Sequence, residues 1–211
     1  MSTCRVLANC LLTLALLATG AATIVSADRS RIVIRIYDAG AASLSQRSAA
    51  IRTAAAIVDE ARLGVEWRDC SDRRSDRQCE RPRRPGDLVV RIMTSPASRE
   101  TASEGGFRLG VAVIDPGTRV GEMATIFHDQ IEAVARRTGV NRERLLGRAL
   151  AHEVGHLLLR EMGHSRSGLM RAVWTDAELT SNRREDWTFA PSDLSQLHVA
   201  RTASFDFDLA Q

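Results

Sequence analysis

Lysine is absent from this chain of 211 residues, and all 29 of its basic residues are arginine. The formal net charge is only +3, and the arginines are interleaved with acidic residues. No stretch therefore resembles a phosphate-binding stripe, and the sequence does not predict binding to nucleic acid. The arginine-dense stretch Arg73–Arg84 is most simply a solvated surface.

Long apolar runs are missing after the amino terminus. There, Arg5 precedes the apolar run Leu7–Ala22, and small residues follow at Val25–Ala27. This order is typical of a secretory signal peptide, and we predict that residues 1–27 are a signal cleaved after Ala27. The run is short for a bilayer span of about 20 residues, which argues against an uncleaved anchor. We therefore expect a secreted or periplasmic protein with no membrane segment after cleavage.

Cysteine is scarce, and its distribution agrees with export. Cys4 and Cys10 leave with the signal, so the mature chain, Asp28–Gln211, keeps only Cys70 and Cys79. An even pair around a polar loop in an exported protein predicts a disulfide. A thiolate metal site is disfavoured, because the spacing is too long for a CxxC motif and no histidine lies near.

Hydrophobic periodicity predicts both strands and helices in the mature chain. The predicted strands are Arg31–Tyr37, Val65–Trp67, Asp87–Met93, Phe107–Ile114 and Met123–Phe127. The predicted helices lie between Ser43 and Arg62, around Ile131–Ala135, from Arg142 to about Glu161 with Gly163 as the stop, and after Pro191. Together they predict a single α+β domain over residues 28–211.

Three of the five histidines lie between residues 152 and 164. His152 and His156 are four residues apart in a predicted helix, so they share a face and can bind one metal ion. Glu153 completes an HExxH motif, in which two neutral imidazoles bind zinc and the glutamate is left to move protons. The neighbours Ala151, Val154, Gly155 and Leu157 are uncharged, as expected for a helix buried behind a cleft.

The third metal ligand has two candidates in the sequence. A catalytic zinc site has three protein ligands and an open fourth position. His164 lies eight residues after His156 and directly after Gly163, where the chain can reverse, and we choose His164. The alternative is Glu178, a carboxylate of a downstream helix 22 residues beyond His156, which would leave His164 as a surface group.

The stretch His152–Met170 resembles the metzincin zinc peptidases and, within them, the matrixin-like branch. Their pattern is HExxHxxGxxH followed by a methionine turn, and here HExxH is followed by GHS and GLM. The chain departs from the pattern at Leu159, which stands in place of the family glycine, and at Met162, which stands in place of the third histidine. The histidine comes two residues later, at His164.

This resemblance implies a metzincin-like α+β fold. Its features are a twisted, mostly parallel sheet of about five strands with an antiparallel edge strand, an active-site helix carrying HExxH, and a C-terminal helix. Leu109–Asp129 is similar to the edge strand and its return, and Phe189–Leu197 to the closing helix. Met170 would be the turn methionine beneath the metal ligands. A substrate would pair with the edge strand formed by Leu109, Gly110, Val111, Ala112 and Val113.

The implied activity is the hydrolysis of peptide bonds in a protein or peptide substrate. One Zn²⁺ would polarise the scissile carbonyl and lower the pKa of a bound water to about 7. Glu153 would act as general base and then general acid. Because the only tyrosine, Tyr37, lies in the first strand, no tyrosine donor follows the zinc motif. His128 and His198 are predicted to be surface or structural histidines.

Two other functions are compatible with these residues. One is a gluzincin-like zinc hydrolase that uses Glu178 as its third ligand. The other is a non-catalytic exported binding domain on a degenerate peptidase scaffold. The intact Glu153 argues against the binding domain, because a purely structural metal site has no need of that carboxylate.

Overall fold

A computed structural model of the protein describes residues 31–72, 77–84, 86–96 and 107–208. The predicted signal peptide lies outside these residues. The elements, in chain order, are β1 (Ile32–Asp38), α1 (Leu44–Asp59), β2 (Val65–Asp69), β3 (Leu88–Met93), β4 (Gly110–Ile114), β5 (Gly121–Phe127), α2 (His128–Thr138), α3 (Arg142–Leu159), α4 (Asp176–Ser181) and α5 (Pro191–Asp208). Short 3₁₀ turns lie at Arg77–Glu80 and Arg184–Asp186. In this part of the chain, no helix has the length and apolarity needed to cross a bilayer.

The five strands form one sheet in the order β2-β1-β3-β5-β4. Neighbouring strands are parallel except β4, which runs antiparallel to β5 at the edge. The central strands are rich in β-branched residues, and Ile34, Ile36, Val90 and Ile92 are fully buried. The predicted α+β fold, with a mostly parallel sheet and an antiparallel edge strand, is confirmed.

Helix α3 is the most buried helix among the described residues and packs against α1, β4 and β5. Every residue from Leu145 to Leu158 is buried, which explains why the HExxH motif has uncharged neighbours. The approach to α1 is close at Gly147, where an added Cβ would lie 2.5 Å from Thr53 Cβ and 2.6 Å from the Ala50 carbonyl oxygen. The active-site helix is therefore held in place from several sides.

The disulfide predicted between Cys70 and Cys79 is present, with a Cα–Cα distance of 5.6 Å. It ties the end of β2 to the 3₁₀ turn Arg77–Glu80.

The predicted ends of several elements are wrong by a few residues. The edge strand β4 begins at Gly110, so Phe107, Arg108 and Leu109 precede it. Leu109 still meets the sheet, because its carbonyl oxygen accepts a hydrogen bond from the Phe127 N–H at 2.9 Å. Helix α2 begins at His128, immediately after β5. Its N-cap residue, Phe127, has no side chain that could cap the helix by a hydrogen bond.

The end of α3 is the most consequential of these errors. The helix ends at Leu159, and Arg160, rather than Gly163, turns the chain in the left-handed conformation (φ 55°, ψ 38°). Sequence reasoning assigned the turn to glycine because L-residues pay a steric cost there. The turn at Arg160 places the Glu161 carbonyl 2.8 Å from Nδ1 of His156, an interaction that a longer helix would not make.

Replacing Arg160 with glycine is expected to raise the free energy of unfolding by about 0.5–1 kcal/mol. Glycine removes a steric cost of about 1–2 kcal/mol that Arg160 pays in the left-handed conformation. Part of this gain is offset, because glycine also increases the conformational entropy of the unfolded chain. Urea denaturation of the metal-free protein measures the change. The matched control, Leu159→Gly, removes a helical side chain and should destabilise the protein. A loss of stability in Arg160→Gly would contradict the expectation.

Candidate metal centre

Three histidines come together at the carboxyl end of α3. His152 and His156 project from the helix, His164 lies in the loop beyond it, and one ring nitrogen from each falls within 4.8 Å of the others. His152 and His156 are buried, whereas His164 is exposed. The motif is two residues longer than the family pattern, yet the loop after Arg160 still returns His164 to the other two rings.

The hydrogen bonds of the two helical histidines determine which ring nitrogens are free. Nδ1 of His152 lies 2.9 Å from the Leu169 carbonyl, and Nδ1 of His156 lies 2.8 Å from the Glu161 carbonyl. A carbonyl can only accept, so both Nδ1 atoms donate, and both Nε2 atoms of the neutral rings carry lone pairs. These Nε2 atoms face each other at 3.1 Å. Two facing lone pairs repel unless a cation lies between them.

The spacing of these atoms fits zinc. Two nitrogens bound at about 2.0–2.1 Å in a tetrahedron lie roughly 3.3 Å apart. The observed 3.1 Å between the Nε2 atoms of His152 and His156 is close to that value. The carbonyl acceptors on Nδ1 orient the rings as outer partners do in metal sites. The residues present could therefore hold a metal ion.

The surrounding protein favours the neutral form of all three imidazoles, which is the form that binds metal. Burial lowers the pKa of His152 to about 4, opposed in part by the Leu169 carbonyl and assisted by the other two histidines. Burial also lowers the pKa of His156, and partial desolvation lowers the pKa of the exposed His164. Protons therefore compete weakly with a metal ion for these rings near neutral pH.

Glu153 lies on α3 between the two helical histidines and is 6% exposed. Burial raises the pKa of its carboxyl to about 8, with a smaller opposing effect from Arg108. Its side chain packs against the edge strand at Gly110, where an added Cβ would lie 2.7 Å from both Cγ and Oε1 of Glu153. Only glycine leaves room for this carboxyl. The sequence marked Gly110 as part of the edge strand but could not show this contact.

Met170 lies under the HExxH helix, where the resemblance places the turn methionine. It is 1% exposed, and an added Cβ on Gly155 would lie 2.5 Å from its sulfur. The turn is closed by the Ser165 N–H, which donates to the Met170 carbonyl at 2.8 Å. Met170 therefore packs directly against Gly155 of the HExxH helix.

Trp174 is a residue of this site that sequence reasoning missed. Its ring meets His152 edge-on, with 5.4 Å between centroids. Its Nε1–H donates at 3.3 Å to the Leu169 carbonyl, the same acceptor that orients His152. A tryptophan soon after a methionine turn was the one available signal, and nothing in the zinc motif points to it.

Glu178, the alternative third ligand, has other partners. Its carboxylate accepts from the backbone N–H and the hydroxyl of Thr175, capping α4, and it pairs with Arg171. Among the residues that the structure describes, the group of side chains close enough to bind one metal ion consists of the three histidines and includes no carboxylate. The arrangement therefore favours His164 over Glu178.

The remaining two histidines lie apart from this cluster. His128 is buried at the start of α2, with Nε2 3.7 Å from a carboxylate oxygen of Glu132. His198 on α5 is exposed, and its Nε2 lies 3.0 Å from the Ala61 carbonyl. These contacts are those of structural and surface histidines.

Comparison with known proteins bears on the fold. No family model matches the chain, and no curated protein matches its sequence. Among solved structures, archaemetzincin from Methanopyrus kandleri is similar, with a TM-score of 0.53 and 13% sequence identity over 85% of this chain and 99% of that chain. A likeness at this identity concerns the fold alone, and the expected metzincin-like fold is confirmed.

Proposed function

We propose that the protein is an exported zinc-dependent endopeptidase. The observation that carries the proposal is the pair of facing Nε2 lone pairs on the helix that also holds the buried Glu153. His152, His156 and His164 would hold one zinc ion. When bound, zinc supplies a Lewis acid that polarises the scissile carbonyl and acidifies water.

Glu153 moves the proton in this scheme. Its carboxylate takes a proton from the attacking water as the new C–O bond forms. It then delivers that proton to the amine nitrogen as the C–N bond breaks. Burial of Glu153 keeps its carboxyl from being fully solvated and, in the metal-free protein, raises its pKa, which makes the carboxylate a stronger base.

The edge strand β4 provides a binding surface for an extended substrate. It pairs only with β5 in the described sheet, so the backbone groups along its other side remain for a peptide to add as a further strand. Gly110 brings this strand against Glu153, which would place a paired peptide beside the proton-transfer group. The substrate class is therefore an extended segment of protein.

Two finer assignments belong to the proposal. The GHS and GLM segments support a place in the matrixin-like branch, with a zinc motif lengthened by two residues. Export to the periplasm or the cell exterior is supported by the signal-like residues 1–27 and by the Cys70–Cys79 disulfide, which persists in oxidising compartments.

The first test is metal content and cleavage by purified residues 28–211. We expect one zinc per chain by mass spectrometry and cleavage of a denatured protein. Removal of zinc by a chelator should abolish the cleavage, and added zinc should restore it. Zinc without cleavage would favour the binding-domain alternative, and a protein that binds no zinc would overturn the proposal.

The contact between β4 and Glu153 can be tested with Gly110→Ala. The added methyl group must displace the Glu153 side chain, so we expect kcat/KM for a peptide to fall by roughly 10–100-fold with zinc retained, since misplacing a catalytic group is costly. The control is Gly117→Ala, because an added Cβ there meets its nearest atom at an ordinary 3.4 Å. Equal activity in both variants would contradict the assigned contact.

A further inference from the structure

A second concave surface of the protein contains none of the residues of the metal centre. It is a groove of about 780 Å³ lined by α1, the first half of α3 and the segment after α4. We call it the arginine groove and define it by Arg52, Arg144, Arg148, Arg184, Asn182 and Trp187. Its volume is within the usual range for pockets that bind small molecules.

Most of the positive charge in this groove is not neutralised by the protein. Arg184 pairs with Glu60 at 3.0 Å, but Arg52, Arg144 and Arg148 have no carboxylate oxygen within 4.0 Å among the described residues. The other acidic residue of the lining, Glu143, lies 4.0 Å from Arg142 instead. Three guanidinium groups therefore line one groove with no ion-pair partner in the part of the chain that the structure describes.

The charge of Arg148 is costly in free energy of folding, because the residue is only 4% exposed. It donates to the Asn182 amide oxygen at 2.9 Å, and Arg144 donates to the same oxygen at 2.6 Å. Its other partner, the Leu179 carbonyl at 3.3 Å, is also neutral. Burial, assisted by the like charge of Arg144 and opposed by Asp186, lowers the pKa of Arg148 to about 10. A buried cation with neutral partners is destabilising unless an anion approaches.

Asp186 is the nearby acid that partly offsets this charge, but it has other ion-pair partners. Its carboxylate lies 3.0 Å from Arg183 and 3.5 Å from Arg171. The Arg148 guanidinium instead stacks 3.6 Å from the centre of the Trp187 ring. Its charge is therefore oriented by an aromatic face, as in sites that recognise an anion with arginine.

The rest of the lining suits a ligand with an organic body. Ala49, Ala56 and Ile57 contribute apolar atoms from α1. Trp187 is 5% exposed, and its Nε1–H is buried without a hydrogen-bond partner in the described residues. Cationic groups and apolar side chains thus occur in one groove.

We propose that the arginine groove binds an organic oxyanion, with the carboxylate or phosphate held between Arg144 and Arg148. Arg52 on α1 supplies a further positive charge. The proposal does not depend on the peptidase activity, because no groove residue belongs to the metal centre.

Titration calorimetry of residues 28–211 at low ionic strength tests the proposal with two probes. One is a capped hexaglutamate peptide, with capped hexaglutamine as its neutral counterpart, and the other is inorganic phosphate. The test variant is Arg144→Gln, since Arg144 is exposed and Arg148 is part of the buried structure. The control is Arg136→Gln on α2, which removes the same charge outside the groove. Both the zinc-loaded and the metal-free protein are titrated, and we expect equal affinities.

We expect at least one anionic probe to bind wild type and Arg136→Gln equally, and to bind Arg144→Gln at least about tenfold more weakly, the cost of one charged hydrogen bond. Binding of the peptide alone would identify acidic polypeptide as the source of the oxyanion, and binding of phosphate would identify a free anion. The proposal would be overturned by equal affinity of an anionic probe for Arg144→Gln and wild type. It would also be overturned if hexaglutamine bound as well as hexaglutamate and phosphate did not bind, or if neither anion bound.

Discussion

Replacing Glu153 with glutamine is expected to lower kcat for peptide hydrolysis by about 10²–10⁴-fold, the usual contribution of a general acid–base group. Glutamine has nearly the same shape but neither takes nor returns a proton at neutral pH. The three histidines are untouched, so the zinc content should remain that of the wild type. Retained zinc with lost turnover separates proton transfer from metal binding.

The measurement is steady-state cleavage of a quenched fluorescent peptide, together with zinc content by mass spectrometry. Glu161→Gln is the matched control, because the Glu161 side chain is exposed and its hydrogen bonds to His156 are made by backbone atoms, which the substitution leaves in place. Full activity in Glu153→Gln would rule out the assigned role of Glu153. Loss of zinc from Glu153→Gln would show that this carboxyl supports the metal site instead.

The same substitution has an expected effect on stability in the metal-free protein. The pKa of Glu153 is about 8 in the folded state against 4.5 for the free side chain, so the folded protein binds more protons between these values. Stability should therefore fall as pH rises from about 4.5 to about 8, and Glu153→Gln should lack this loss. By pH 8 the variant is expected to be more stable by a few kcal/mol. Urea titrations of both proteins at several pH values measure the free energy of unfolding against pH. The same pH dependence in Glu153→Gln and wild type would contradict the expectation.

His164→Ala is expected to lose zinc, whereas Glu178→Gln should keep it. His164 is the third member of the histidine cluster, and Glu178 caps α4 and pairs with Arg171. Removing one of three ligands should weaken zinc binding beyond the 10–100-fold that loss of an outer partner costs. Competition against a zinc-binding dye measures the affinity.

The two variants act as controls for each other, because each removes one candidate ligand. His164 is exposed, so metal-free His164→Ala should unfold at nearly the same urea concentration as the metal-free wild type. Glu178→Gln should instead lose some stability through its ion pair with Arg171, without loss of zinc. The opposite pattern, with zinc lost only in Glu178→Gln, would move the protein to the gluzincin-like alternative.

Much of the fold followed from patterns within single elements. The alternation in Arg31–Tyr37 predicted β1, and the helical spacing after Ser43 predicted α1, which begins with a capping box between Ser43 and Gln46. The i, i+4 spacing of His152 and His156 placed them on one face of α3. These patterns succeed because strand and helix periodicity depend on neighbours within about four residues.

The errors lie where distant residues decide the structure. The left-handed turn at Arg160 is combined with a hydrogen bond from His156 to the Glu161 carbonyl, and local propensity had pointed to Gly163 instead. Likewise, α2 begins directly after β5 without a side-chain cap, so no local signal marked its start.

By itself, the sequence determined the α+β class and the HExxH helix, and it limited the third ligand to two candidates, His164 and Glu178. Tertiary structure alone decided that Gly110 makes room for Glu153, that Trp174 shares the Leu169 carbonyl with His152, and that Arg144 and Arg148 meet at Asn182. The physical reason is sequence separation. Each of these contacts joins segments that packing brings together, and a pattern read along the chain carries no information about which distant segment will lie alongside.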